Sequence, residues 1–166
     1  MKKNAVFSAY GRLKYDTPLK YDCGKLCDGL CCKGADDRGM ILYPGEEKLF
    51  SDKKGFQIKK DSLGRNILIC KSDCNRKIRP LSCRMYPLFP YVYEENGEIK
   101  LKVIYDIRGL NSCPVVFNKI KVSKKFIQSV RLAGKELLRE EDCKKMLWDI
   151  SREIDEIIKI NEMMRG

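Results

Sequence analysis

Any chemistry in this chain must turn on cysteine, because it has nine cysteines and no histidine. Without histidine, Ser–His–Asp and Cys–His nucleophile arrangements are excluded, and so is the commonest nitrogen ligand for zinc. A transition metal would be held by sulfur, with carboxylates as the remaining donors. The cysteines fall into groups. Cys23, Cys27 and the pair Cys31-Cys32 form the first; Cys70, Cys74 and Cys83 form the second. Cys113 stands before Pro114, and Cys143 lies alone in a later apolar segment.

Geometry limits what the first group can do. If residues 23–32 were one helix, Cys23 and Cys31 would lie about 12 Å apart along its axis. Thiolates sharing one tetrahedral ion must approach to about 4 Å. The segment therefore loops, as Gly24 and Gly29 favour, or its cysteines serve more than one metal. Neighbouring side chains diverge, so Cys31 and Cys32 would more easily serve two sites than one. All-sulfur donor sets select zinc, Cu(I) or iron–sulfur clusters over magnesium or calcium.

The expected ligands are Cys23, Cys27, Cys31, Cys32, Cys70, Cys74, Cys83 and Cys113, enough for two closed four-thiolate zinc sites. Iron fits nearly as well, since Cys113-Pro114 is like the Cys-Pro that ends ferredoxin cluster runs. No Cys-x2-Cys pair is present to choose between them. Cys143 follows a helical period and is expected to be a packed core thiol.

Arg79 and Arg84 flank Cys83, and the prolines Pro80 and Pro87 should stiffen the turn around it and restrict Arg79 and Tyr86 to extended backbone. Their guanidiniums could offset thiolate charge, bind an anionic cofactor or hold backbone carbonyls of the loop. Tyr86 reads as a packed ring.

These residues need a framework, and the pattern predicts an α+β fold. It has a small cysteine-rich core with short strands and hairpins, then a C-terminal helical hairpin. The expected division is a metal-binding domain over 1–119 with a helical segment, 120–166, packed on it. Residues 1–22 read as an extended lead-in with a polar turn at Asp16-Thr17-Pro18. Residues 23–39 have loop composition, and residues 40–43 read as a short strand. Pro44 and the acids Glu46-Glu47 suggest a helix start running to about Ser51. Residues 56–59 and 66–70 flank a turn and read as a hairpin. Asn96-Gly97 marks a second hairpin, whose later strand, 99–107, carries Leu101, Val103 and Tyr105 on one face. Ser123 is a candidate N-cap for a helix with Phe126, Ile127, Val130, Ala133, Leu137 and Leu138 on its stripe. A second helix follows, with Cys143, Leu147, Ile150, Ile154, Ile157 and Ile158.

The formal net charge is +11. Two divalent ions held by eight thiolates would bring it to about +7, because ligand thiols deprotonate on binding. The basic surface suits an acidic protein or another anionic partner. Nucleic acid has weaker support, since no dense basic run is interleaved with aromatics. No apolar run has the length of a signal peptide or membrane span, so a cytoplasmic protein without membrane contact is expected. In that reducing compartment disulfide frameworks are rare.

Cys23, Cys27 and Cys31-Cys32, followed by the Arg-Pro-x-x-Cys-Arg-x-Tyr-Pro stretch of residues 79–87, resemble the YkgJ-type cysteine-cluster family. That family is described as a zinc- or iron-chelating domain. The resemblance spans roughly residues 20–116, and Cys113-Pro114 is similar to the family's downstream Cys-Pro. It implies metal chelation by these cysteines and supplies no reaction. The first group is spaced x3-x3 here, where the family often has x2-x2. A related pattern occurs in the much longer flagellin lysine-N-methylases. The leading expectation is thus a metal-binding module without catalysis of its own. An iron–sulfur redox enzyme, a metal carrier and a methyltransferase relative stand behind it. The usual Cys-x3-Cys-x2-Cys of radical S-adenosylmethionine enzymes fails at Leu30, and no Gly-rich methyl-donor motif is present.

Overall fold

The computed structural model describes residues 4–21, 23–27, 29, 39–71 and 76–166. They form a mixed helix-and-strand structure, as the α+β expectation has it. The chain begins with a helix, α1 (Ala5–Arg12), where an extended lead-in was expected. Asn4 caps it, its side chain accepting from the Val6 amide at 2.9 Å. Eight residues are too few for a helix to be stable alone. Here tertiary contacts hold it. Val6, Ala9 and Leu13 are buried along α4 (Lys124–Leu137). The Ala5 amide donates to Glu140 at 2.7 Å, and Arg12 pairs with Glu136 at 2.7 Å. None of those partners is local, which is why the sequence window missed the helix.

Strands β1 (Met40–Ile41), β2 (Phe56–Lys60) and β3 (Asn66–Cys70) form a small antiparallel sheet in the order β1-β3-β2. The β2–β3 pair is the expected hairpin, with Phe56 opposite Cys70. Leu42, Phe50 and Leu68 close a minor core beneath it. The helix expected up to Ser51 is a single 3-10 turn, Glu46–Leu49, entered through Gly45 at φ 90°. Only glycine adopts that conformation without cost.

Pro80 then opens a one-turn helix, α2 (Leu81–Met85), in place of the stiff turn expected around Cys83. Strands β4 (Leu88–Glu95) and β5 (Glu98–Tyr105) form the second hairpin. Asn96 and Gly97 both have positive φ, 53° and 77°, as a two-residue turn of the I′ kind requires. Cys113 precedes a short helix, α3 (Pro114–Phe117).

The C-terminal helices α4 and α5 (Glu141–Arg165) each pack on the β4–β5 ribbon. Ser123 caps α4 as expected. Helix α5 covers the outer edge of β4 with polar side chains. Ser151 Oγ accepts from the Val92 amide at 3.0 Å, and Arg152 donates to the Val92 carbonyl at 2.9 Å. An edge left open would be a site for strand pairing with another chain. Burial along α5 runs through Cys143, Leu147, Ile150 and Ile154 and then stops: Ile157 is half-buried, and residues 158–166 are exposed. Among the described residues, one main core runs from Val6 on α1 to Ile154 on α5. No described helix is long and apolar enough to cross a membrane.

Helix α4 meets the ribbon at Gly134. A Cβ there would lie 2.6 Å from Pro90 Cβ and 2.6 Å from Leu101 Cδ1. Alanine would gain about 1 kcal/mol of helix propensity. Overlap with the proline ring on β4 costs about 1–3 kcal/mol, because the strand must shift. Gly134→Ala is therefore expected to lower stability in urea unfolding, against the sign that propensity alone gives.

Candidate metal centre

Five of the eight expected ligands lie on described residues, four of them at the end of an element or on a turn and the fifth, Cys83, inside a one-turn helix. Cys23 opens a 3-10 turn, Cys23–Leu26, and Cys27 follows it. Cys70 ends β3, Cys83 lies within α2, and Cys113 is the residue before α3. All five are half-buried. Cys31, Cys32 and Cys74 lie outside the described residues.

The described cysteines do not share one environment. Cys70 packs against the minor core of Leu42, Phe50 and Leu68, whereas Cys23 and Cys113 pack against the main core. Among the described residues no three Cys, Asp or Glu side chains come together in a group able to hold a metal ion. One cysteine of the first group, Cys23, lies near Arg76. Arg76 donates to the carbonyls of Asp16 and Leu13, and Cys23 lies near enough to act electrostatically on its guanidinium. Burial lowers the Arg76 pKa, as do the like charges of Arg79 and Arg84; Asp16 and Cys23 oppose the shift.

Arg84 binds the loop itself. Its Nε donates to the Arg79 carbonyl at 3.0 Å and its Nη2 to the Lys77 carbonyl at 3.1 Å. Its guanidinium also lies over the Tyr10 ring, 4.7 Å from the centroid. Tyr86 is half-buried, with its hydroxyl against Gly109, where any Cβ would overlap it.

Beneath the Arg84–Tyr10 pair lies a feature that the sequence reading passed over. Glu46 has no exposed surface. Its Oε1 accepts from the Tyr10 hydroxyl and from the Leu81 amide, the latter at 2.7 Å; its Oε2 accepts from the Tyr43 amide at 2.7 Å. Leu81 opens α2 directly after Pro80, so its amide has no partner in its own helix and Glu46 supplies one. Burial pushes the Glu46 carboxyl above the usual carboxylate range, and the three donors pull back without cancelling it. Burial first, then the Glu46 charge, pushes the Tyr10 phenol up. The sequence shows Glu46 only as an acid at a helix start, because its partners Tyr10 and Leu81 lie 36 and 35 positions away.

Cys143 is the exception among the thiols. It has no exposed surface, and burial, followed by the nearby Glu140 and Asp142 charges, pushes its pKa up to about 12. The core-thiol expectation matches its position.

Comparison with family models, with curated proteins and with solved structures finds no match.

Two outcomes follow. Glu46→Ala would leave two buried backbone amides and the Tyr10 hydroxyl without their acceptor, at a cost of about 3–5 kcal/mol. Tyr10→Phe removes one hydroxyl and is expected to cost only about 1–2 kcal/mol; urea titrations of the two variants check the order. Second, iodoacetamide at about pH 8 is expected to leave Cys143 unmodified in the folded protein and to modify it in concentrated urea, read by mass spectrometry.

Proposed function

We propose that this protein is a thiolate metal-binding module, holding zinc or iron, the latter as an iron–sulfur centre, without catalysis of its own. The observation that carries the reading is the composition and placement of its donors. Eight cysteines stand in two turn-rich groups and one Cys-Pro. Of the five on described residues, Cys23, Cys27, Cys70 and Cys113 sit at element ends or turns and Cys83 lies within α2; all five are half-buried, whereas Cys143 is fully buried on the apolar stripe of α5.

The all-sulfur donor set fits a soft or borderline ion. Cys23, Cys27, Cys31, Cys32, Cys70, Cys74, Cys83 and Cys113 would hold it, in one site or two. Once bound, the metal would tie the loops to the frame and fix the shape of the face they form. Cys23 beside Arg76 supports this role, because a guanidinium at that position offsets part of the negative charge a thiolate cluster gathers. The similarity of residues 79–87 and the cysteine spacing to the YkgJ-type family supports the same reading. It would place the chain among zinc- or iron-chelating domains. The basic surface then serves an acidic or otherwise anionic partner. A redox role would need iron and labile sulfide.

Protein purified without oxygen is expected to contain zinc or iron at about one or two equivalents, with acid-labile sulfide matching the metal if it is iron. Cys27→Ser and Cys83→Ser should each lower the metal content, and Cys143→Ala should leave it unchanged. Stripping the metal with a strong chelator is expected to lower the melting temperature by about 10 °C. Protein isolated without metal that neither takes up zinc or iron nor gains stability from them would rule the module out.

A further inference from the structure

Between α1, the Glu46–Leu49 turn and the Arg76–Met85 stretch lies a pocket of about 200 Å³. Its lining joins two kinds of side chain. Lys53, Lys77, Arg79 and Arg84 supply cationic groups. Phe7, Tyr10 and Phe50 supply aromatic rings. No acidic side chain lines it among the described residues. We infer that this pocket binds a small organic anion, with a planar apolar body against the rings and a phosphate or carboxylate head among the lysines and arginines.

Two observations carry the inference beyond a basic surface patch. Two of the cations already stand on ring faces: Arg84 over Tyr10 at 4.7 Å, and Lys53 over Phe50 at 5.2 Å. The pocket therefore presents its charge at the edge of an aromatic wall, where a flat anion can touch both. The Arg84 guanidinium is also held in place before any ligand arrives. Arg84 is fixed by two carbonyls of its own loop, and the Tyr10 ring beneath it is fixed by the buried Glu46. A planar guanidinium fixed in this way recognises anionic oxygens with little loss of side-chain freedom.

Size narrows the ligand class. Pockets for drug-sized molecules run to about 300–1,000 Å³, so this one suits a single ring with one head group and not a dinucleotide. Among the described residues no cysteine lines it, so the inference goes beyond the metal reading and stands if that reading fails.

The test is a titration followed by amide chemical shifts on the protein as purified. The probes are phenyl phosphate, phenylacetate, inorganic phosphate and benzyl alcohol. Phenyl phosphate or phenylacetate is expected to shift amides around Phe7, Phe50 and Lys77 saturably, and whichever binds more tightly identifies the head group. Inorganic phosphate and benzyl alcohol should each bind about tenfold more weakly, because each satisfies only one half of the lining. The variant Lys53→Glu with Lys77→Glu changes two exposed positions and is expected to keep the fold, checked by its circular dichroism. It should weaken the organic anions about tenfold or more. Shifts spread over the whole basic surface, equal affinity for inorganic phosphate, or unchanged binding by a folded double variant would each overturn the inference.

Discussion

A carboxylate with no access to water must find its hydrogen bonds inside the protein, and Glu46 finds three, from three separate parts of the chain. The Tyr10 hydroxyl comes from α1, the Tyr43 amide from just beyond β1, and the Leu81 amide from the start of α2. An unpaired carboxyl at that depth would cost several kcal/mol, so these segments are held to one arrangement. Other features then fall into place. Fixing Tyr10 supports the ring on which Arg84 lies. Fixing Leu81 sets α2, the helix that carries Cys83. Ser82 adds a bond from its hydroxyl to the Ile41 carbonyl at 2.6 Å, which ties α2 to β1 a second time.

The opposite side of the molecule is organised by apolar packing, with polar groups limited to a few closures. Gly134 lets α4 approach the β4–β5 ribbon, and Ser151 and Arg152 satisfy the outward amide and carbonyl of Val92. Of the expected ligands on described residues, Cys23 and Cys113 lie at the margin of this core, and Cys70 lies against the minor core.

How far the sequence discloses this depends on the range of each interaction. Asn96-Gly97 specifies its turn through two residues that accept positive φ, so the later strand of the second hairpin is legible to within two residues at each end. The α4 stripe and the Ser123 cap are local in the same sense, as is the burial of Cys143. The extended reading of α1 fails because eight residues give too short a period, and the contacts that hold them, to Glu136 and Glu140, are more than a hundred positions away. Ile158 fails for a different reason. Its helical spacing is real, but the ribbon that buries the earlier turns of α5 no longer covers it. Glu46 is hidden most completely, because nothing in a lone acid after Pro44-Gly45 distinguishes a first-turn acid from a buried acceptor. Arg84 was legible as a residue serving either its loop or an anion. The structure gives it the loop carbonyls and still places it in a pocket wall.

That double use of Arg84 bears on how the two candidate sites relate. A guanidinium has five donors in a plane, and loop carbonyls at Lys77 and Arg79 take two of its nitrogens. The same bonds that close the loop around Cys83 therefore orient the cation toward the pocket beside α1. A change in the loop would be felt by Arg84 through Lys77 and Arg79, without any direct contact between a metal and a ligand in the pocket. The linkage would be reciprocal, since an effect of one ligand on the other's affinity must run equally in both directions. It would pass through a single side chain and two backbone carbonyls, and the Tyr10–Glu46 bond holds the far side of that cation in place. If both ligands bind, the thiolate loop and the anion pocket would share one arginine, although no cysteine lines the pocket among the described residues.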